Sequence, residues 1–199
     1  MARVSVEAER REQILIAACE VVSELGFKSL RIADVARRAG TSTGTVHYYF
    51  ATKTELMHAA FEWNFERSLD RRRPILTAAS DPRERLRAFI DSYLPADDVT
   101  VRAWHVWAEL WVEALHDPEL QALNERVYGE WRRIVAEIIR DGQDAGVFRQ
   151  EDPVLASNAL IAMIDGLALQ VLLASASMSI ERMRAVCDQV LRAMVLGDG

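Results

Sequence analysis

Apolar positions in the first quarter of the chain recur at steps of three and four. Ile14, Ala17, Ala18, Val21 and Leu25 share one face of a helix, and Gly26 supplies its stop. Ser29 is placed to cap a second helix, whose buried side is Ile32, Val35, Ala36 and Ala39 and whose end is Gly40. Ser42 is placed to cap a third, running to about Phe50. Thr52 and Glu55, three apart, form the pattern of a capping box for a fourth. That helix carries Leu56, Ala60, Trp63 and Leu69 as far as Arg73, where Pro74 is expected to end it.

Three Asp-Pro pairs, at 81–82, 117–118 and 152–153, punctuate the remainder. Aspartate accepts from the free amides of a first helical turn, and proline gives up an amide that has no partner there. Helices are therefore expected to begin near residues 82, 118 and 153. Residues 94–100 read as a loop, and Gly142 with Gly146 as the end of the helix that starts at 118. Residues 175–179 separate the last two helices, of which the final one runs from Ile180 to Leu196. No run alternates with the period of two that a strand needs. The expected fold is all-α with about nine helices. A domain of three short helices over residues 1–52 precedes a larger helical bundle over residues 53–199.

Half of the residues are hydrophobic and 27% are charged, which excludes a disordered chain. The formal net charge of −6 is unusual for a nucleic-acid binder, so its distribution matters. Residues 1–56 hold eight Lys/Arg against seven Asp/Glu, so the acidity lies in the rest. Cys19 and Cys187 sit far apart on apolar faces and read as buried thiols of a reducing, cytoplasmic compartment. The histidines show no zinc-like spacing with cysteine, and neither a nucleophile–base pairing nor a phosphate loop is visible. No metal, cofactor or enzymatic activity is expected. The most apolar stretch, 154–178, contains Ser157, Asn158, Asp165 and Gln170, which argues for a buried helix and against a membrane span.

The segment AGTSTGTVHYYFATKTEL, 39–56, gathers hydroxyls, aromatics, two glycines and a lysine. Two short helices, about Ile32–Ala39 and Thr43–Tyr49, joined across Gly40-Thr41, have the layout of a helix-turn-helix. In that motif the second helix enters the major groove and its first residues meet base edges. Threonine bonds a phosphate or a base, histidine and tyrosine reach further, and Gly44 lets the backbone approach. Ser29, Thr41 and Ser42 join the candidate contacts, and Lys53 is a candidate phosphate clamp. A helix pair inside a plain bundle remains the other reading of this pattern.

The run LRIADVARRAGTSTGTVHYYFATKTEL resembles the N-terminal signature of TetR-family transcriptional regulators. The resemblance rests on Ile32-Ala33, Val35-Ala36, Ala39-Gly40, Ser42, Gly44, Tyr49-Phe50 and Lys53-x-x-Leu56. It implies that Thr43, Gly44 and His47 face base edges, and that Arg31, Thr45, Tyr48, Tyr49 and Lys53 face phosphate or sugar. His47 and Thr43 depart from residues common in the family at reading positions. The target sequence is therefore this chain's own. With few cations in the reader, affinity should need two readers per particle and fall steeply with salt.

Two readers imply a two-fold dimer on a pseudo-palindromic operator, with half-site centres about 34–36 Å apart or a multiple of that. Leu160, Ile164, Leu167 and Val171 on one helix, with Met183, Val186 and Val190 on the next, are the candidate dimer face; closing the protomer's own core is the alternative. Trp104, Trp107 and Trp111 share a helical face, and Tyr128 and Trp131 follow on the next helix. They read either as an aromatic core or, with Asp165, as a cavity for an organic cation. Asp165, a carboxylate in the most apolar helix, needs a partner: an arginine or a bound cation. Residues from Trp104 to about Leu173 also resemble the ligand domain of betaine/choline-type repressors, through Trp107-x-x-x-Trp111, Asp117-Pro118, Trp131-Arg132 and Asp165-Gly166-Leu167. The expected function is a ligand-responsive DNA-binding repressor released from its operator by a small effector. The alternative is a helical ligand-binding or adaptor module that never touches DNA.

Overall fold

The computed structural model describes residues 2–77 and 81–195, with side chains from residue 6 onward. Among these residues it is all-α, with nine helices: α1 (Ala2–Ser29), α2 (Ile32–Arg38), α3 (Thr43–Tyr49), α4 (Lys53–Thr77), α5 (Pro82–Asp91), α6 (Asp98–Ala114), α7 (Pro118–Asp144), α8 (Pro153–Leu172) and α9 (Ile180–Met194). The only extended pairing among them is an isolated bridge between Phe148 and Val195. Leu196, the expected last residue of the final helix, lies outside the described residues.

The starts of the helices follow local chemistry. Asp81 and Asp152 accept from first-turn amides of α5 and α8, and Asp117 does the same for Glu119 and Leu120 of α7. Ser42 caps α3 through the Thr45 amide at 3.0 Å. Thr52 accepts from the Glu55 amide, and Glu55 reaches back to the Ala51 amide, one residue before the usual target of a capping box. Gly40, in the left-handed region, closes α2 with paired bonds from Thr41 N–H to Ala36 and from Gly40 N–H to Arg37. Gly146 closes α7 in the same way.

Four expectations are corrected. The first helix is not short: it begins at Ala2 and is broken at Gly26 (φ 76, ψ 162) before ending at Ser29. Ser29 does not cap α2. Leu30 is buried at 2% exposure, which holds the chain extended through Arg31, and Arg31 becomes an N-cap with no side-chain bond. Pro74 does not end α4, which continues to Thr77. So close to the helix end, proline forfeits one backbone bond, while the Thr77 hydroxyl bonds the Arg73 carbonyl. The loop before α6 ends at Asp97, whose carboxylate caps the helix through Val99 and Thr100.

The chain divides into two compact units, Met1–Ser68 with Arg102–Asn124, and Leu69–Val101 with Glu125–Gly199. Helices α4, α6 and α7 each have residues in both. The first unit packs α1 on α2 and α2 on α3, around Ile14, Val21, Val35, Val46, Phe50, Leu56 and Phe61. The second packs α9 on α5 and α8, around Leu86, Phe89, Ile139, Phe148, Leu160 and Leu191. A Cβ on Gly142 would lie 2.1 Å from the Phe148 ring, so glycine at that position lets the ring pack against α7. Both cysteines are free and buried, and burial pushes the Cys19 thiol up to about 12 and the Cys187 thiol to about 11. Helix α8 is long and apolar enough to cross a membrane by length and composition; it packs on α9, but only 28% of that apolar span is buried, so the expectation of a buried helix is met in the minor part alone.

Candidate functional site

In the first unit α2, the Gly40 turn and α3 form the helix-turn-helix outline. Val46 and Phe50 anchor α3 from below, which turns Thr43, Gly44 and His47 outward. Ser29, Arg31 and Ser42 are also exposed, while Thr41, Thr45 and Tyr49 are half-buried. Tyr48 is 74% exposed and meets Tyr49 edge-on with ring centroids 5.1 Å apart. The Ser42 and Thr45 hydroxyls are 2.9 Å apart, so the cap and a candidate phosphate contact share a bond. Several cations of this region are paired within the protein: Arg37 with Asp34, and Arg38 with Glu20 and Glu24.

Lys53 is held within the protein. Its Nζ donates to the Lys28 carbonyl at 3.3 Å and lies 4.5 Å from the Phe27 ring centroid. Burial pulls its pKa down, opposed by Glu113.

The six residues proposed for an effector divide between the units. Trp104, Trp107 and Trp111 belong to the first, where Trp104 and Trp107 are buried and Trp104 meets Trp111 edge-on at 6.3 Å. Tyr128, Trp131 and Asp165 belong to the second. There the Tyr128 hydroxyl donates a short hydrogen bond to Asp165. Among the described residues no arginine or lysine pairs with Asp165. Burial raises its carboxyl to about 6, against the stabilising bond from Tyr128. Burial first, then the Asp165 charge, drives the Tyr128 phenol well above its usual range.

Three neighbours of Trp131 were not found from the sequence. Tyr93 meets Trp131 edge-on at 5.5 Å, and Phe89 meets it at 6.0 Å. The Arg72 guanidinium lies 3.5 Å from the Tyr93 ring centroid and 5.8 Å from that of Trp131. It also bonds the Ser92 hydroxyl and carbonyl at 2.9 and 2.7 Å. A signal for Arg72 exists: Met57, Phe61, Asn64, Ser68 and Arg72 step along one buried face of α4. A cleft of about 290 Å³ beside Phe27, Met57, His58 and Glu113, in the first unit, shares no residue with the expected effector set.

The candidate dimer residues also divide. Leu160, Ile164 and Met183 are buried within the second unit's own core. Leu167, Val171, Val186 and Val190 are half-buried. Helix α8 instead exposes Leu155, Ala159, Ala162 and Gly166, spaced to lie along one face, with Leu173 exposed just past its end.

Comparison with known proteins bears on both units. Residues 14–60 match the family described as bacterial regulatory proteins, tetR family, and residues 82–196 match the BetI-type transcriptional repressor C-terminal domain. The HTH-type transcriptional regulator BetI of Stenotrophomonas maltophilia is 30% identical over 189 residues, covering 94% of this chain and 93% of that protein. BetI of Cronobacter sakazakii is 30% identical over 99% of this chain and 96% of its own length. A transcriptional regulator of Saccharomonospora viridis, solved in complex with choline, superposes with a TM-score of 0.90 at 33% identity, covering 95% of this chain and 99% of that one. The chain belongs to the TetR family of DNA-binding transcriptional regulators, in its BetI-type repressor group.

Proposed function

We propose that the protein is a homodimeric cytoplasmic repressor whose effector is a compact organic cation of the choline type, held in the second unit by Asp165. The carrying observation is that carboxylate: half-buried, raised to about 6, and met among the described residues only by the Tyr128 hydroxyl. A buried carboxylate without a cation is costly, and an organic cation entering beside it supplies the missing charge. Trp131 and Tyr93, in the same unit, form an edge-on aromatic pair of the kind that attracts an organic cation. The choline complex of the similar S. viridis protein supports the same class. The α6 tryptophans act here as core.

The reader is residues 1–52, with Thr43, Gly44 and His47 on base edges. Arg31, Thr45, Tyr48 and Tyr49, helped by Ser29, Thr41 and Ser42, take backbone positions. Two readers come from a dimer formed on the exposed stripe of α8 with Leu167, Val171, Val186 and Val190 at its margin. The protein acts by binding, without catalysis and without a membrane. The test is titration calorimetry with choline on the wild type and Asp165→Asn, beside fluorescence anisotropy on DNA flanking the gene. Choline should bind the wild type and lower operator affinity about 5–150-fold. Equal choline binding by Asp165→Asn would defeat the assignment of the site.

A further inference from the structure

The chain entering the reader is gripped at one corner by side chains from two later helices. Gly26 takes φ 76 and ψ 162, a conformation essentially confined to glycine, and there α1 breaks. The break leaves the Phe27 amide without its helical partner. Glu109 of α6 fills that vacancy: its Oε2 accepts the Phe27 N–H at 2.8 Å. Its Oε1 lies 3.3 Å from where a Cβ on Gly26 would stand, so the carboxylate lies directly against the backbone. Two peptides further on, Lys53 of α4 donates to the Lys28 carbonyl at 3.3 Å. Helix α2 begins four residues further on, at Ile32.

We infer that Glu109 is a positioning residue, a latch through which a change in α6 resets the pose of the recognition helices. The inference rests on the effector reading above. A hydrogen bond to an ionised acceptor is about twice as strong as a neutral one, and this acceptor lies on a helix with residues in both units. Glu109 sits two residues from Trp107 and two from Trp111 on that helix. A displacement of α6 therefore either carries the Phe27 corner with it or breaks the bond, and each outcome alters the reader. A merely structural cap would stabilise the corner without touching the response to effector.

The test is the ratio of operator affinities without and with saturating choline, by anisotropy, with choline affinity measured separately by calorimetry. Glu109→Ala should bind choline within about twofold of the wild type, while the ratio falls toward one from the expected 5–150-fold or so. Glu109→Gln keeps an oxygen acceptor for Phe27 and should keep most of the ratio. An unchanged ratio in Glu109→Ala, with a responsive wild type, overturns the latch alone. A ratio lost equally in Glu109→Gln also overturns it, because the acceptor would then be irrelevant. A wild type that binds choline with no change in operator affinity overturns both the effector reading and the latch.

Discussion

The recognition surface of α3 and the surroundings of Asp165 treat polar side chains in opposite ways. On α3, Thr43 and His47 stand in solvent and stabilise little in the folded protein. In the second unit Asp165 and Arg72 are taken out of water at a cost that packing must offset. Exposed recognition groups can change without endangering the fold, which suits a surface that must match one operator. Charged groups drawn into the packing cannot, because a change there also alters the stability of the fold.

The sharpest way to break this comparison is Asp165→Asn. Burial raises this carboxyl from 3.8 to about 6, so the folded state holds its proton more tightly than the unfolded chain. The resulting penalty is absent below about pH 4 and grows as pH rises through about 6. The variant should therefore gain roughly 2–3 kcal/mol of stability at about pH 8 in denaturant titrations, gain nothing at about pH 4, and lose choline binding. A loss of stability at pH 8 would show that Asp165 is paired in solution. The opposite prediction holds for the reader. His47→Ala should cost about 1–3 kcal/mol of operator affinity and leave the melting temperature unchanged. Next in size is a proton linkage: choline affinity should weaken below about pH 6, approaching tenfold per pH unit, because the cation requires the ionised carboxylate. Ser42→Ala blurs the contrast, since that exposed hydroxyl caps α3; it should cost about 1 kcal/mol of stability and some operator affinity together. The smallest effect concerns Lys53. Lys53→Met should weaken operator binding by a similar factor at low and high salt, whereas loss of a phosphate contact would reduce the salt slope by about one.

What the sequence made legible follows the same division. Helix starts written as Asp-Pro or as Ser42, and stops written as Gly40 and Gly146, depend on neighbours a few residues away and lie where the pattern puts them, whereas Ser29 does not, because the buried Leu30 sets the chain there. The family was readable because residues 30–56 carry a local motif of fixed spacing. The effector region was harder, because its contacts join α4, α5, α7 and α8 across long stretches of chain. Tyr128, Trp131 and Asp165 were visible as types, but Tyr93 and Arg72 are brought to them only by folding. Apolar periodicity alone also cannot separate a core face from a dimer face. Leu160, Ile164 and Met183 share their pattern with residues left exposed. Lys53 carries information of both kinds: its position in the motif suggests phosphate, and its contact with the Phe27 ring is made only on folding.

The two cysteines have a practical consequence. A thiol reacts as its thiolate, and Cys19 and Cys187 are buried with acidities pushed to about 12 and about 11. The native protein is thus expected to react slowly with maleimides near neutral pH. A single exposed cysteine, introduced at Leu25 on α1 of the first unit, would take one spin label or fluorophore per protomer against that slow background. In the proposed dimer the pair of labels becomes a ruler between the two readers, read in solution with and without choline.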